Sequence, residues 1–330
     1  MALDQLLGQP AARRSLELAL ESDRVHHAYR FEGPPGVGKT TAAMLLAQAL
    51  VCENGRRRCG QCSACKRAVT LSPDAPEVPQ HPDVLFVGRG LYPESVLGKA
   101  EATGISVEQI RRIVLGRLGF RPHEGRALVI VIFDADELTH AAESALLKTL
   151  EEPPADTHFI LMTSRPGKLL DTIRSRTLAV RFAPLPETVL RQLLAREGLS
   201  PELAVLAQGS LTRARALGQP ETQDSLADFV RGADAAVRAP HSDVALEFAA
   251  ARPEGRDAVL LHLAHLASSC ALEGRAAEPH EAPLWAEHFF EVSRAASEIE
   301  RNGSAALVLE ALILRLRKLP RAQRKTSFLP

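Results

Sequence analysis

A short strand-like segment, Ala28 to Glu32, runs directly into Gly33-Pro34-Pro35-Gly36-Val37-Gly38-Lys39-Thr40, and that turn runs into an alanine- and leucine-rich helical pattern, Thr41 to Val51. No other stretch constrains the fold so strongly, because a strand, a glycine-rich turn and a helix in this order form the phosphate-binding P-loop. The turn aims several backbone N–H groups into one concavity, Lys39 reaches the outer phosphates, and the Thr40 hydroxyl, with Thr41 beside it, can ligate Mg²⁺. The positive end of the following helix faces the same anion. Glycine-rich turns also simply join strands to helices, but here every fixed position of the motif is filled and both flanks are right.

Strand and helix patterns alternate up to about residue 182. Ala28 to Glu32, Asp83 to Val87, Ala127 to Phe133, Thr157 to Thr163 and Thr177 to Phe182 read as five strands, the third almost wholly apolar, as a strand covered on both faces would be. Val107 to Gly116 after the cap candidate Ser106, and Ala141 to Leu150 before Glu151-Glu152-Pro153-Pro154, read as helices. Beyond Pro184 the strand signal ends, and helical patterns (Asp243 to Ala251, Asp257 to Leu272, Trp285 to Ile299, Ala305 to Leu319) fill the chain after a break at Gly218-Gln219-Pro220. The expected fold is an α/β core with a parallel five-stranded sheet, followed by helical domains. The expected division is 1–182, 183–220 and 221–330, which suits a chain of 330 residues. Forty basic and forty acidic side chains cancel, so net charge advertises no partner, and any basic surface is local. The basic stretch Arg315 to Lys325, with Arg317, Lys318, Arg321 and Arg324, reads as a solvated helix end or a partner contact. Met1-Ala2-Leu3-Asp4 has no leader-like pattern, and the longest apolar run, Ala127 to Phe133, is far too short to span a bilayer. A soluble cytoplasmic protein with no membrane partner is expected.

Four of the five cysteines, Cys52, Cys59, Cys62 and Cys65, are separated by six, two and two residues. Two-residue gaps let neighbouring thiolates turn onto one tetrahedral ion, and four such ligands make a closed structural Zn²⁺ site. Arg56, Arg57, Arg58, Lys66 and Arg67 would offset its charge; disulfides are the competing reading. Cys270, among alanine and leucine, reads as a small buried residue. A P-loop ATPase also needs an acid at the end of an apolar strand, and Asp134 follows Ala127 to Phe133. Asp136 and Glu137 read instead as caps of the next helix.

Several segments together resemble the AAA+ clamp-loader subunits of bacterial DNA polymerase III. Ser144-Ala145-Leu146-Leu147-Lys148-Thr149-Leu150-Glu151-Glu152-Pro153-Pro154 is similar to the family signature after Walker B, and Thr172-Ile173-Arg174-Ser175-Arg176-Thr177 to its arginine-finger motif. The four-cysteine module lies where that family inserts a zinc knuckle. His81-Pro82-Asp83, the segment Ile105 to Arg112, Thr163 at the sensor 1 position and Gly209-Ser210-Leu211-Thr212-Arg213 at sensor 2 also match. The resemblance covers residues 1 to about 215; beyond that it is helical length and composition only.

The resemblance implies an open five-membered ring with gamma/tau and delta subunits that binds ATP between neighbours, grips the sliding clamp and places it around primed DNA. DNA contact would be nonspecific, through helix N-termini and scattered basic residues. Arg176 would act in trans on a neighbour's γ-phosphate, and residues 221–330 would form the oligomerisation collar. Two departures stand out. Counting back from Leu146-Leu147-Lys148 puts Phe133 and Asp134 at the paired acidic positions, and sliding by one residue puts Asp134 and Ala135 there. Either register removes one catalytic carboxylate, which points to a stator that contributes Arg176 and binds ATP with Mg²⁺ without hydrolysing it. The alternative is a gamma/tau-type motor using Lys39 and Asp134 itself. The second departure, Thr177 in place of cysteine, is expected to matter little. A zinc-finger regulator is a poor reading, because no groove-entering helix lies between the cysteines.

Overall fold

The computed structural model describes residues 3–319 apart from 56–58, 75, 99–103, 125 and 302. The chain divides into two compact units: one runs up to Leu193 and takes in Gln208–Thr212, and the other comprises Leu194–Ala207 and the chain from Arg213 onward.

In the first unit all five expected strands form, as β1 (Ala28–Glu32), β2 (Val84–Val87), β3 (Leu128–Ile132), β4 (Thr157–Thr163) and β5 (Leu178–Arg181). They make one sheet in the order β2-β3-β4-β1-β5, with every pair parallel. Successive side chains of a strand point to opposite faces, and the cores follow that rule. Val129, Val131, Tyr29, Phe31, Ile160 and Met162 face one cluster, built with α1 (Pro10–Glu21), α2 (Lys39–Val51) and α3 (Ser63–Val69). Leu128, Ile130, Ile132, Phe159 and Leu161 face the other, built mainly with the helix His140–Glu151 and the helical stretch beginning at Val107. Apolar residues on both strand faces are what a sheet covered on both sides requires.

Ser106 caps as expected, its hydroxyl accepting from Gln109 N–H at 3.3 Å. The helix it starts turns π-helical over Ile110–Leu115, a change that apolar spacing does not announce. Gln109 is fully buried and clamps Gly88 after β2, accepting from its N–H at 2.9 Å and donating to its carbonyl at 3.0 Å. Nearby, the buried Asp83 of the His81-Pro82-Asp83 segment accepts from Arg117 (2.8 Å) and from the backbone N–H groups of His123 and Glu124.

The second unit is helical among its described residues. Pro220–Arg238, with Pro220 in its first turn at the expected break, Asp243–Ala250, Arg256–Ala276, Ala282–Glu300 and Ala305–Leu316 bury a common core that includes Phe229, Leu263, Val292, Leu309 and Ile313. Gly274 lets two of these helices approach closely, since a methyl there would lie 3.1 Å from Trp285 Cβ. Arg315 pairs with Glu291 (3.1 Å) and Glu298 (3.0 Å), and Arg317 donates to the carbonyls of Ala236 and His241. Arg315 and Arg317 are thus used inside their own unit, while Arg321, Arg324 and Lys325 lie outside the described residues. Cys270 is buried, as expected. Among the described residues no helix is long and apolar enough to cross a membrane.

Candidate nucleotide site and thiolate cluster

The glycine-rich turn sits between β1 and α2, which starts at Lys39, two residues before the sequence expectation. Gly38 has φ 100° at the helix N-cap and Gly36 has φ 73°, both in the left-handed region open to glycine. A methyl at Gly36 would also lie 2.7 Å from Thr212 N, because Leu211 N–H donates to the Gly36 carbonyl (2.9 Å) and the 208–212 turn rests on the loop. Val37 is buried in the core, while Pro34, Pro35, Thr40 and Thr41 are exposed. Gln9, buried just before α1, belongs to no motif that the sequence displays. Its amide donates to the carbonyls of Val37 (3.1 Å) and Ala183 (2.6 Å) and accepts from Ala183 N–H, tying the loop to the chain beyond β5.

Lys39 is mostly buried and donates to the carbonyls of Gly33 and Pro34, the latter at 2.7 Å. Burial lowers its pKa, and the charges of Asp134 and Asp136 pull it back up. Gly33 N–H donates to the carbonyl of Thr163 at the end of β4 (3.2 Å). The buried Thr163 hydroxyl donates to Asp136 Oδ1 at 2.7 Å, and Arg165 Nε donates to Asp136 Oδ2 at 2.6 Å. Asp136 therefore does not cap the next helix. Thr139 does, accepting from Ala142 N–H, and the Asp136 side chain is only 2% exposed. Burial alone would raise Asp136, but the hydrogen bonds from Thr163 and Arg165, with the charge of Arg165, hold it below the usual carboxylate range.

After β3, Phe133 packs edge-on against Phe86 (centroids 4.8 Å apart), and Asp134 follows in a left-handed conformation, φ 41°. Burial and the charge of Asp136 push Asp134 up, against the pull of Lys39 and Arg165. Both Asp136 oxygens are engaged within the chain, so Asp136 fits a Mg²⁺ ion poorly.

Arg176 ends the helix Asp171–Arg176. Its guanidinium pairs with Glu151 at 2.6 Å and donates to the Thr172 carbonyl (2.9 Å) and Ser175 Oγ (3.3 Å). That helix end is held from β1 by Arg30, a buried residue that no motif in the sequence marks. Arg30 donates to the Arg174 carbonyl (2.8 Å) and to Thr177 Oγ1, and pairs with Glu32. Thr177, expected to matter little, also donates its hydroxyl to the Ile173 carbonyl at 2.9 Å, a linkage that a thiol would make only weakly. Arg213 belongs to the second unit, where burial lowers its pKa.

The sulfurs of Cys52, Cys59, Cys62 and Cys65 all lie within 4.8 Å of one another, and all four are free thiols. Cys52 and Cys59 are 3.7 Å apart and Cys59 and Cys65 4.0 Å, close to the spacing of about 3.8 Å set by a tetrahedral ion with 2.3 Å Zn–S bonds. Backbone N–H groups of Cys59, Cys62 and Cys65 donate to the sulfurs of Cys52, Cys59 and Cys62. Such bonds, led by Gln61 N–H, hold Cys59 down to about 6, while burial raises Cys52 and Cys65. The donor set fits a thiophilic ion such as zinc. Of the basic neighbours, Arg67 pairs with Glu124, and Arg56, Arg57 and Arg58 lie outside the described residues.

An open parallel sheet carrying a P-loop after its first strand, a buried polar residue at the end of the neighbouring strand, and a helical unit beyond define an AAA+ P-loop module. The chain belongs to the family described as "DNA polymerase III, delta subunit", whose profile matches residues 8–186. It is 36% identical over 200 residues to DNA polymerase III subunit delta' of Bacillus subtilis, covering 60% of this chain and 54% of that protein. It is 35% identical over 194 residues to subunit delta' of Escherichia coli, covering 58% and 53%. It is also 37% identical over 194 residues to subunit gamma/tau of Mycobacterium tuberculosis, covering 58% and 30%. The chain thus spans about half the length, or less, of the curated relatives it matches.

Proposed function

We propose that the chain is a delta'-like stator of the DNA polymerase III clamp loader. It would bind a nucleoside triphosphate at its P-loop, lend Arg176 to a neighbouring subunit's ATP site, and work beside gamma/tau and delta subunits in loading the sliding clamp onto primed DNA. Residues 1–182 serve as the nucleotide-binding module with zinc in the Cys52, Cys59, Cys62 and Cys65 cluster, 183–220 as a lid that brings Arg213 to nucleotide, and 221–330 as the collar. The observation that carries the stator reading is the acid set: Asp136 is held by Thr163 and Arg165, and Asp134 stands between Phe133 and Ala135 with no second acid adjacent. An adjacent carboxylate pair, one acid to hold a metal and one to orient an attacking water, is thus missing at Asp134. The delta' relatives support the same choice over the gamma/tau motor.

A guanidinium aimed at a neighbour's γ-phosphate stabilises charge that spreads over the transferring group. Arg176→Ala should therefore abolish DNA-stimulated ATP turnover of the assembled loader while the ring stays intact by gel filtration. Unchanged turnover in an intact ring would overturn the assignment.

A further inference from the structure

We infer that the phosphate site takes a nucleoside polyphosphate without a divalent cation, with Arg165 supplying beside Lys39 the positive charge that Mg²⁺ supplies elsewhere. The inference rests on the reading of the P-loop as a nucleotide site. A continuous chain of contacts links the two cations. Lys39 donates to the Gly33 carbonyl, Gly33 N–H donates to the Thr163 carbonyl, the Thr163 hydroxyl donates to Asp136, and Asp136 accepts from Arg165. Arg165 N–H also donates to Thr163 Oγ1 at 3.0 Å, so the backbone of Arg165 is fixed at the same point.

Beside a hydroxyl such as that of Thr40 and the substrate's own phosphates, a Mg²⁺ site draws on one or two carboxylates. Here Asp136, the carboxylate that Thr163 holds at the end of β4, already carries a guanidinium, which keeps its charge at every accessible pH. A dication entering beside that guanidinium would be repelled by it and would find both Asp136 oxygens engaged. Arg165 itself has donors left over. One of its five goes to Asp136, the nearest approach of Glu137 is 4.0 Å, and the side chain is 44% exposed. The remaining fork suits phosphate oxygens, which it can meet two at a time.

The test is equilibrium binding of a fluorescent ATP analogue to the purified full chain, in Mg²⁺ and in excess EDTA. The wild type should bind in EDTA within about threefold of its affinity in Mg²⁺. Arg165→Ala frees Asp136 for an ion and leaves its charge uncompensated, so its affinity should fall about tenfold or more in EDTA and recover in Mg²⁺. Arg165→Lys keeps the charge but not the fork, and in EDTA its affinity should fall between those of wild type and Arg165→Ala. A wild type weakened tenfold or more by EDTA, or an Arg165→Ala variant with the wild-type ratio, would overturn the inference while leaving the nucleotide site standing. Absence of binding, or binding indifferent to Lys39→Ala, would remove the nucleotide site and the inference with it.

Discussion

Asp136 carries a pH signature that its partners dictate. Thr163 and Arg165 hold its folded-state pKa below the ordinary carboxylate value, so the native state takes up a proton less readily than the unfolded chain. That contribution to stability is complete above the ordinary carboxylate pKa, about 4, and is lost as pH falls through the lower folded value. Asp134, shifted upward by burial and by Asp136, acts with the opposite sign in the acid range. Urea unfolding at a series of pH values below about 5 should show a flatter loss of stability for Asp136→Asn and a steeper one for Asp134→Asn. Equal slopes in all three proteins would contradict this. Asp136 was illegible in the sequence because an acid shortly after a strand and before a helix looks the same as a cap, and only the pairing of β3 with β4 brings Thr163 to it. Arg30 was hidden for a similar reason, since a lone arginine in an apolar strand gives no sign that its partner lies 147 residues further on. The P-loop and the cysteines were legible because their chemistry depends on local spacing.

Among the elements, α3 is the one that depends most on what it binds. Seven residues cannot sustain a helix alone in water, and this one starts at a cysteine whose sulfur accepts from Cys65 N–H. Gln48 on α2 adds a hydrogen bond to the Cys65 carbonyl at 2.7 Å, so the cluster pins α3 to α2. Cys62→Ser keeps a side-chain cap for the helix but removes one ligand. It should release the bound metal and cost about 2–3 kcal/mol, lowering the thermal midpoint by roughly 5–10 °C, as read by metal analysis and calorimetry. A variant that melts like wild type would show that the thiolates do not staple this element. The strands were read from sequence to within a residue at each end, because an apolar run covered on both faces admits few alternatives. The π turns at Ile110–Leu115 were not, because six residues are too short a stretch for a wider period to show in the apolar spacing.

At the level of the whole chain, the first unit has a core on each face of its sheet and the second has its own. Removing residues 221–330 should therefore leave a folded monomer that no longer joins the ring, as judged by gel filtration with the other loader subunits; persisting assembly would contradict the collar assignment. Helical spacing revealed the elements of the second unit but not what they hold, since a face that packs inward and one that meets another subunit carry the same pattern. The strand order has a consequence for the newborn chain. β1, which carries the phosphate loop, lies between β4 and β5, so the residues flanking it in the sheet are Thr157–Thr163 and Leu178–Arg181. At ribosomal rates of roughly 5–20 residues per second, the loop waits on the order of ten seconds after its own synthesis before either neighbour exists. Through that interval a hydrophobic strand with two open edges must be shielded by something other than its own fold.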